Sequence, residues 1–409
     1  MSTTQTNTTR LGYKPCKVGW IPNAWKNKEI KDLIKFSGGT QPPRNTFVFE
    51  EKPGYTRLIQ TRDYRTDRYK TYIRDKDVRK TCTQDDIIVG RYGPPIFQLF
   101  RGLSGAYNVA LIKVIPDTSI VLKEYVWYYL NRENLRAFLV SLSQRSGGQT
   151  GIEMDQLKKY PFPLPPLAEQ KKIAEILGTW DNAIAHTTEL VAQLKARKKG
   201  LMQQLLTGST RLPGFSGEWK EVRLGDVANH YTAKNKADKE LTVLSCTKYD
   251  GLVPSLKYFG RQVYGSDLSK YKLVPKGYFA YATNHIEEGS IGYQDVLEEG
   301  LISPMYTVFK TNPKKVHDGF LYRYLKTDRM IYNYQSNMSG SIDRRGGLRW
   351  DTFRTIAIKI PTRKEQESID AVFKTSDQEI SKQEEKLAQL QATKKGLMQQ
   401  LLTGEVRVN

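Results

Sequence analysis

The chain is poor in the residues that build disulfide, metal or nucleophilic centres. Its 409 residues include three cysteines and four histidines. Cys16, Cys82 and Cys246 are far apart and odd in number, which excludes a disulfide framework or a cysteine zinc site and points to a reducing cytoplasm. His186, His230, His285 and His317 are scattered, with no ligand spacing and no nucleophile beside them, so no metal site and no catalytic group is assigned. A Gly-x-x-x-x-Gly-Lys-Ser/Thr run is missing, and with it the P-loop of nucleotide hydrolases. No stretch reaches the roughly 18 apolar residues of a membrane span. The polar, Thr-rich Met1 to Arg10 has no apolar signal-peptide core. A soluble, non-exported protein is expected.

Two proline pairs invite a methyltransferase reading and do not sustain it. Gln41-Pro42-Pro43-Arg44 and Gly93-Pro94-Pro95-Ile96 lack both the Asn/Asp and the aromatic residue that hold and stack a target base in the Asn/Asp-Pro-Pro-aromatic motif of amino-methyltransferases. They are expected to be turns.

Positive charge is what the chain has in excess. There are 64 Lys and Arg against 43 Asp and Glu, a net charge of +21. Such a field attracts polyanions, and nucleic acid is the leading partner. Residues 18 to 160 hold 24 basic and 15 acidic residues, and residues 217 to 360 hold 22 and 16, so both halves share the excess. Apolar residues make up 39%, with 24 Tyr, 14 Phe and 6 Trp, enough for two packed domains.

An internal repeat organises the sequence. Lys198-Lys199-Gly200-Leu201-Met202-Gln203-Gln204-Leu205-Leu206-Thr207-Gly208 recurs unchanged as Lys394 to Gly404, 196 residues later. The register extends back without a gap: Pro165, Glu169, Gln170, Ile173, Asp181 and Ile184 match Pro361, Glu365, Gln366, Ile369, Asp377 and Ile380. Alternating steps of four and three residues connect Ile173, Leu177, Ile184, Leu194, Leu201 and Leu205 in one copy and Ile369, Phe373, Ile380, Leu390, Leu397 and Leu401 in the other. This spacing predicts a coiled-coil seam, interrupted at equivalent layers by Thr187 or Gln383 and by Lys198 or Lys394. Thr362 and Glu365 have capping-box spacing, and Gly208 and Gly404 suit the left-handed residue after a last turn. About 40 residues at 1.5 Å each give a helix of roughly 60 Å. Pairing the two helices within the chain buries both seams. Glu384-Glu385-Lys386, a nuclease-like spacing, lies on this helix and is expected to be a solvated face.

Before each helix lies a domain of short apolar runs: Phe47 to Phe49, Asp86 to Val89 and Val109 to Ile115, then Leu241 to Leu244, Tyr278 to Ala282 and Tyr306 to Phe309. These predict strands, followed by a helix over Leu122 to Val140 and over Asp318 to Tyr332. The fold class is α+β: two mixed α/β domains joined by two long helices in an intramolecular antiparallel coiled coil with pseudo-twofold organisation. The divisions are an N-terminal arm at 1–17, a domain at 18–160, a helix at 161–208, a domain at 209–358, and a helix with tail at 359–409. Thr210-Arg211-Leu212 after the first helix resembles Thr9-Arg10-Leu11, which predicts that the two chain ends meet. Trp25-Lys26 and Trp219-Lys220 open the domains alike, but the sequences then diverge.

Candidate DNA-contacting residues follow from charge, aromaticity and loop composition. Arg62 to Lys80 interleaves Arg and Lys with Asp and Tyr, and Arg62, Asp63, Tyr64, Arg65 and Arg68 could meet phosphates and base edges. Thr40 follows Gly38-Gly39, Arg91 and Tyr92 lie between glycines, and Ser146 and Gln149 flank Gly147-Gly148. The second-half counterparts are Ser245, Lys248, Asn284, His285, Ser341, Arg344 and Arg345.

The repeat and loops resemble the DNA-specificity subunit of Type I restriction-modification systems. The resemblance is carried by Pro163-Leu164-Pro165-Pro166-Leu167-Ala168-Glu169-Gln170, the Lys198 to Gly208 helix and its copy, and Ser146-Gly147 and Ser339-Gly340 upstream. The second copy has Thr362-Arg363-Lys364 where the first has Pro-Leu-Ala. The resemblance implies two target-recognition domains reading a split double-stranded DNA target across an unread spacer. It also implies no catalysis in this chain and no cofactor bound by it. Two methyltransferase subunits would bring S-adenosylmethionine for adenine methylation, and two restriction/translocase subunits ATP and Mg. Two other readings fit the residues: the specificity subunit of a related Type II or phage-defence methyltransferase system, and a non-catalytic nucleic-acid-binding scaffold.

Overall fold

Two 39-residue helices, Leu167–Leu205 and Arg363–Leu401, run through the protein. The computed structural model describes residues 10–93, 95–143, 151–236, 239–338 and 347–408. The chain divides into two units, Met1–Thr188 with Lys386–Asn409, and Glu189–Glu385, so each unit owns part of both long helices.

Inside each unit the helix segments pair antiparallel. In the first, Asp181 takes Lys394 while Glu169, earlier on its helix, meets Arg407 beyond the other helix's end. In the second, Lys198 takes Asp377 and Lys195 takes Glu384 at 2.7 Å. The expected seam is there: Ile173, Leu177 and Leu401 are buried in the first unit, and Leu194, Leu205, Ile369, Phe373 and Ile380 in the second. Ile184, Leu201, Leu390 and Leu397 are half-buried, because a two-helix seam leaves its flanks wet. The two lysine layers are ion pairs. At the other polar layer, Thr187 returns its hydroxyl to the Ala183 carbonyl at 2.8 Å, and Gln383 holds a buried Oε1 without a partner. Glu384, with Lys195 opposite, lies on the solvated face as expected.

The ends of the helices obey the cap chemistry in part. Thr362 Oγ1 accepts the Glu365 N–H at 3.4 Å, but the Glu365 carboxylate does not return to the cap. It is buried against Arg211, with Nε and Nη2 each at 2.6 Å. Its repeat equivalent, Glu169, takes Arg407 at 2.6 and 2.9 Å and the Trp25 indole N–H at 2.8 Å. Arg407, 196 residues beyond Arg211, therefore repeats its role, whereas Arg10 lies over the Tyr13 ring at 4.1 Å. The described ends of the chain do meet: Tyr13 Oη donates to the Gly404 carbonyl at 3.1 Å.

Each unit carries one four-stranded antiparallel sheet with the same strand order. In the first unit it runs Ile34–Gly38, Leu111–Pro116, Ile87–Gly90, Gln98–Phe100, and in the second Ala228–Tyr231, Tyr306–Thr311, Phe279–Ala282, Ile291–Tyr293. Both faces are covered. Ile87 and Val89 enter the core that holds Trp25, Tyr125, Tyr129 and Phe162, while Ile88 enters a second cluster with Ile59, Tyr107 and Leu111. Phe279 and Tyr281 likewise face one core and Ala280 another. Alternate residues point to opposite faces, so a sheet buried on both sides has continuous apolar strands. A short ladder, Lys26–Glu29 with Pro161–Leu164 or Lys220–Arg223 with Ala357–Ile360, leads into each long helix.

Several sequence expectations shift. Phe47 to Phe49 forms no strand: Val48 makes a lone bridge to Tyr72, and Phe49 is exposed. The strand expected at Leu241 to Leu244 begins at Leu244 and extends to Thr247. Each single helix expected after the sheet is two, Lys123–Leu130 with Glu133–Ser143, and Asp318–Leu325 with Asp328–Asn337. The break is local chemistry: the Asn131 side chain donates to the Trp127 carbonyl, and Thr327 accepts the Met330 N–H as a new N-cap.

Candidate nucleic-acid interface

The equivalent sheets present equivalent ends, and most described candidate residues collect there. In the first unit the strand Ile87–Gly90 runs out into Arg91 and Tyr92. Arg91 N–H donates to the Ala110 carbonyl at 2.8 Å, its carbonyl accepts from Ile152 N at 3.2 Å, and Tyr92 bridges to Gly151. Thr40 reaches the same end, donating its N–H to the Tyr107 carbonyl at 3.1 Å. Gly39 must be glycine: a Cβ there would lie 2.0 Å from the Asn108 carbonyl oxygen.

A cleft of about 430 Å³ opens at this end, lined by Arg62, Arg65, Thr66, Tyr92 and Gln98 among others. Arg65 donates to Gln98 Oε1 at 2.9 Å. Arg62 and Arg68 both lie over the exposed Tyr69 ring, at 5.8 and 5.4 Å. The Arg62 to Lys80 run does not turn outward as a whole. Asp63 is buried and accepts the Gln60 N–H at 2.7 Å, and Tyr64 stacks on Phe100 with centroids 4.4 Å apart. Burial pushes the Asp63 carboxyl above its ordinary value, and the Gln60 N–H only partly opposes this. Thus Arg62, Arg65 and Arg68 are available to a ligand, while Asp63 and Tyr64 anchor the turn that presents them.

In the second unit the strand Phe279–Ala282 runs out into Thr283, Asn284 and His285, and Leu348 N–H donates to the Thr283 carbonyl as Ile152 does to Arg91. Here the cavity is a cup of about 310 Å³ lined by Ser245, Tyr264, Tyr271, Asn284, His285 and Tyr306, among others. It joins three candidates that are up to 40 residues apart in sequence. Lys248 lies instead at the turn of the hairpin Leu244–Thr247 and Gly251–Pro254, over the exposed Tyr249 ring at 5.4 Å. Ser146, Gln149, Ser341, Arg344 and Arg345 lie outside the described residues.

The sequence reading missed Gln98, Tyr249, Tyr264, Tyr271 and Tyr306. Tyr249 had a signal, an aromatic residue inside the turn-forming Lys248-Tyr249-Asp250-Gly251; the others come from separate segments with no common pattern. Two histidines are structural. His230 stacks on Trp350 with centroids 5.3 Å apart, and burial lowers its pKa, with Lys272 adding to the effect. His317 accepts the Phe320 N–H as a helix cap. Among the described residues, ligand atoms of His285, Glu287 and Glu288 lie within 4.8 Å of one another, and of the three only His285 lines the cup.

A second surface is repeated more literally. In the first unit Lys395, Met398 and Gln399 line a groove of about 190 Å³ with Arg132, Glu133 and Asn134 at the break between the two short helices. In the second, Lys199, Met202 and Gln203 line one of about 170 Å³ with Lys326, Asp328 and Arg329 at the equivalent break. Lys199, Gln203 and Gln204 and their copies are exposed, so seam packing does not require their identity.

One fold is used twice, with unlike chemistry at the same end of each sheet. The family model described as Type I restriction modification DNA specificity domain matches residues 22–196 and again 216–392. The chain belongs to this family, and its role in a type I restriction-modification system is DNA specificity, not catalysis. The Type I restriction enzyme MjaVIII specificity subunit of Methanocaldococcus jannaschii is 25% identical over 408 residues, covering 95% of this chain and 94% of its own. The putative MjaX specificity subunit of the same organism is 25% identical over 433 residues and covers 97% of each chain. A solved chain from work on complex assembly and conformational transition of the type I R-M system has a TM-score of 0.60 at 15% identity, covering 94% of this chain and 99% of that one. The S subunit from M. genitalium has a TM-score of 0.54 at 15% identity, covering 92% and 96%. At such identities the structures establish the fold. Among the described residues, no helix is long and apolar enough to cross a membrane.

Proposed function

We propose that the protein reads a bipartite, asymmetric double-stranded DNA target in the cytoplasm, one half-site per domain with an unread spacer between, and directs adenine methylation and restriction by partner subunits. The observation that carries this reading is the pair of cavities at one position of one sheet design. The arginine cleft of the first domain and the tyrosine cup of the second offer different groups to DNA, as an asymmetric target requires. The net charge of +21 supplies the sequence-independent attraction.

The duplicated grooves support two equivalent partners. Identity at exposed positions in copies whose domains diverged is explained by one partner surface recognised twice. We assign them to two methyltransferase subunits, which carry S-adenosylmethionine; two restriction/translocase subunits carry ATP and Mg. The test is an exchange of residues 18–160 for the corresponding domain of another such subunit, read by methylation profiling of host DNA. One changed half-site is expected; two changed half-sites would refute the modular reading.

A further inference from the structure

The second domain's cup has a shape that a stacked duplex does not fill. Base edges lie inside the grooves, where protruding protein elements reach them. A concave site takes only what leaves the helix surface: a thymine methyl group or an unstacked base. A methyl group needs about the space of one water, about 30 Å³. The cup, at about 310 Å³, is far larger than that.

Its lining suits a flat heterocycle. Tyr264, Tyr271 and Tyr306 supply aromatic surface, on which any base stacks. Asn284 supplies the polar edge. Its Oδ1 is 3.2 Å from Thr283 Oγ1, whose shorter bond of 2.7 Å goes to the Met305 carbonyl. The Asn284 amide nitrogen has no partner among the described residues, so the amide can donate and accept at once, the pattern that pairs with adenine. Beside the cup, Lys272 donates to the Tyr306 carbonyl, and its backbone pairs with that of the exposed Lys234.

We propose that the second domain reads one position of its half-site with the base out of the stack, held in this cup and selected by Asn284. The proposal rests on the DNA-reading function above.

The test uses the subunit assembled with its methyltransferase partners and target duplexes carrying 2-aminopurine at each position of the second half-site in turn. A several-fold fluorescence rise is expected at one position other than the methylated adenine. Val263→Trp, at a half-exposed loop position lining the cup, should abolish that rise. Asn284→Ala should leave the cup open and relax base preference at that position alone. A complex that binds and methylates its target with no such rise, or with a rise that Val263→Trp leaves intact, overturns the proposal. Failure to discriminate among duplexes in a gel shift on the same DNAs overturns instead the function on which it rests.

Discussion

Glu169 is nearly fully buried, and its carboxylate is held from both ends of the chain, by Trp25 and by Arg407. Removing one partner of a buried ion pair strands the other charge. Because Arg407 is partly exposed, Arg407→Ala should cost about 2 kcal/mol, below the full buried-pair penalty. Glu169→Gln keeps an acceptor for Trp25 and should cost less. Urea denaturation of both variants checks the order. Asp86 gives a pH test. Burial alone would raise its pKa, but Lys113 at 2.6 Å, the Thr83 N–H and Lys123 outweigh it and hold the carboxyl below its ordinary 3.8. A depressed folded pKa contributes stability above the unfolded value that is lost as pH falls through the folded one. Asp86→Asn should therefore destabilise the protein at about pH 6, and the gap from wild type should narrow as pH falls below 3.8 through the depressed folded pKa. A gap that persists in acid would show that the ion pairs are not its source.

Gly208 and Gly404 end the two long helices with φ of +73° and +72°, so in both an alanine pays the left-handed penalty of about 1 kcal/mol. Their surroundings differ. A Cβ on Gly404 would meet Pro22 Cδ at 2.4 Å, whereas one on Gly208 would meet the Trp219 ring at 3.1 Å. Gly404→Ala should thus lower the Tm more than Gly208→Ala, by several degrees against a few, and the reverse order in thermal unfolding would refute the packing account. These helices, their seam and their ends were legible because heptad spacing and cap residues are local and occur twice. The shared sheet was not, since strands covered on both faces, such as Ile87-Ile88-Val89 and Phe279-Ala280-Tyr281, show no alternation to align. Nor does charge patterning tell which side chains face inward, which is how Asp63 and Tyr64 came to be grouped with the arginines they support.

For the molecule as a whole, the repeat and its polar layers were readable, but the cup was not, because its tyrosines and Asn284 meet only after the second sheet forms. If the length of the two helices sets the unread spacer, changing that length tests it. Seven residues nearly restore the same helix face, so one heptad inserted at matching positions of both helices keeps the seam continuous and adds about 10 Å. Along B-form DNA that is about three base pairs. Each added base pair also turns one half-site by about 34° around the axis, so distance and rotation compete. The preferred spacer should therefore lengthen by about one to three base pairs while both half-sites keep their sequences. Inserting two residues instead turns the seam by about 200°, to the opposite face, and should lose binding along with stability. Methylation profiling of hosts carrying each variant reads both outcomes. An unchanged spacer in the heptad variant, with both half-sites still read, would mean that the helices hold the domains without setting the distance.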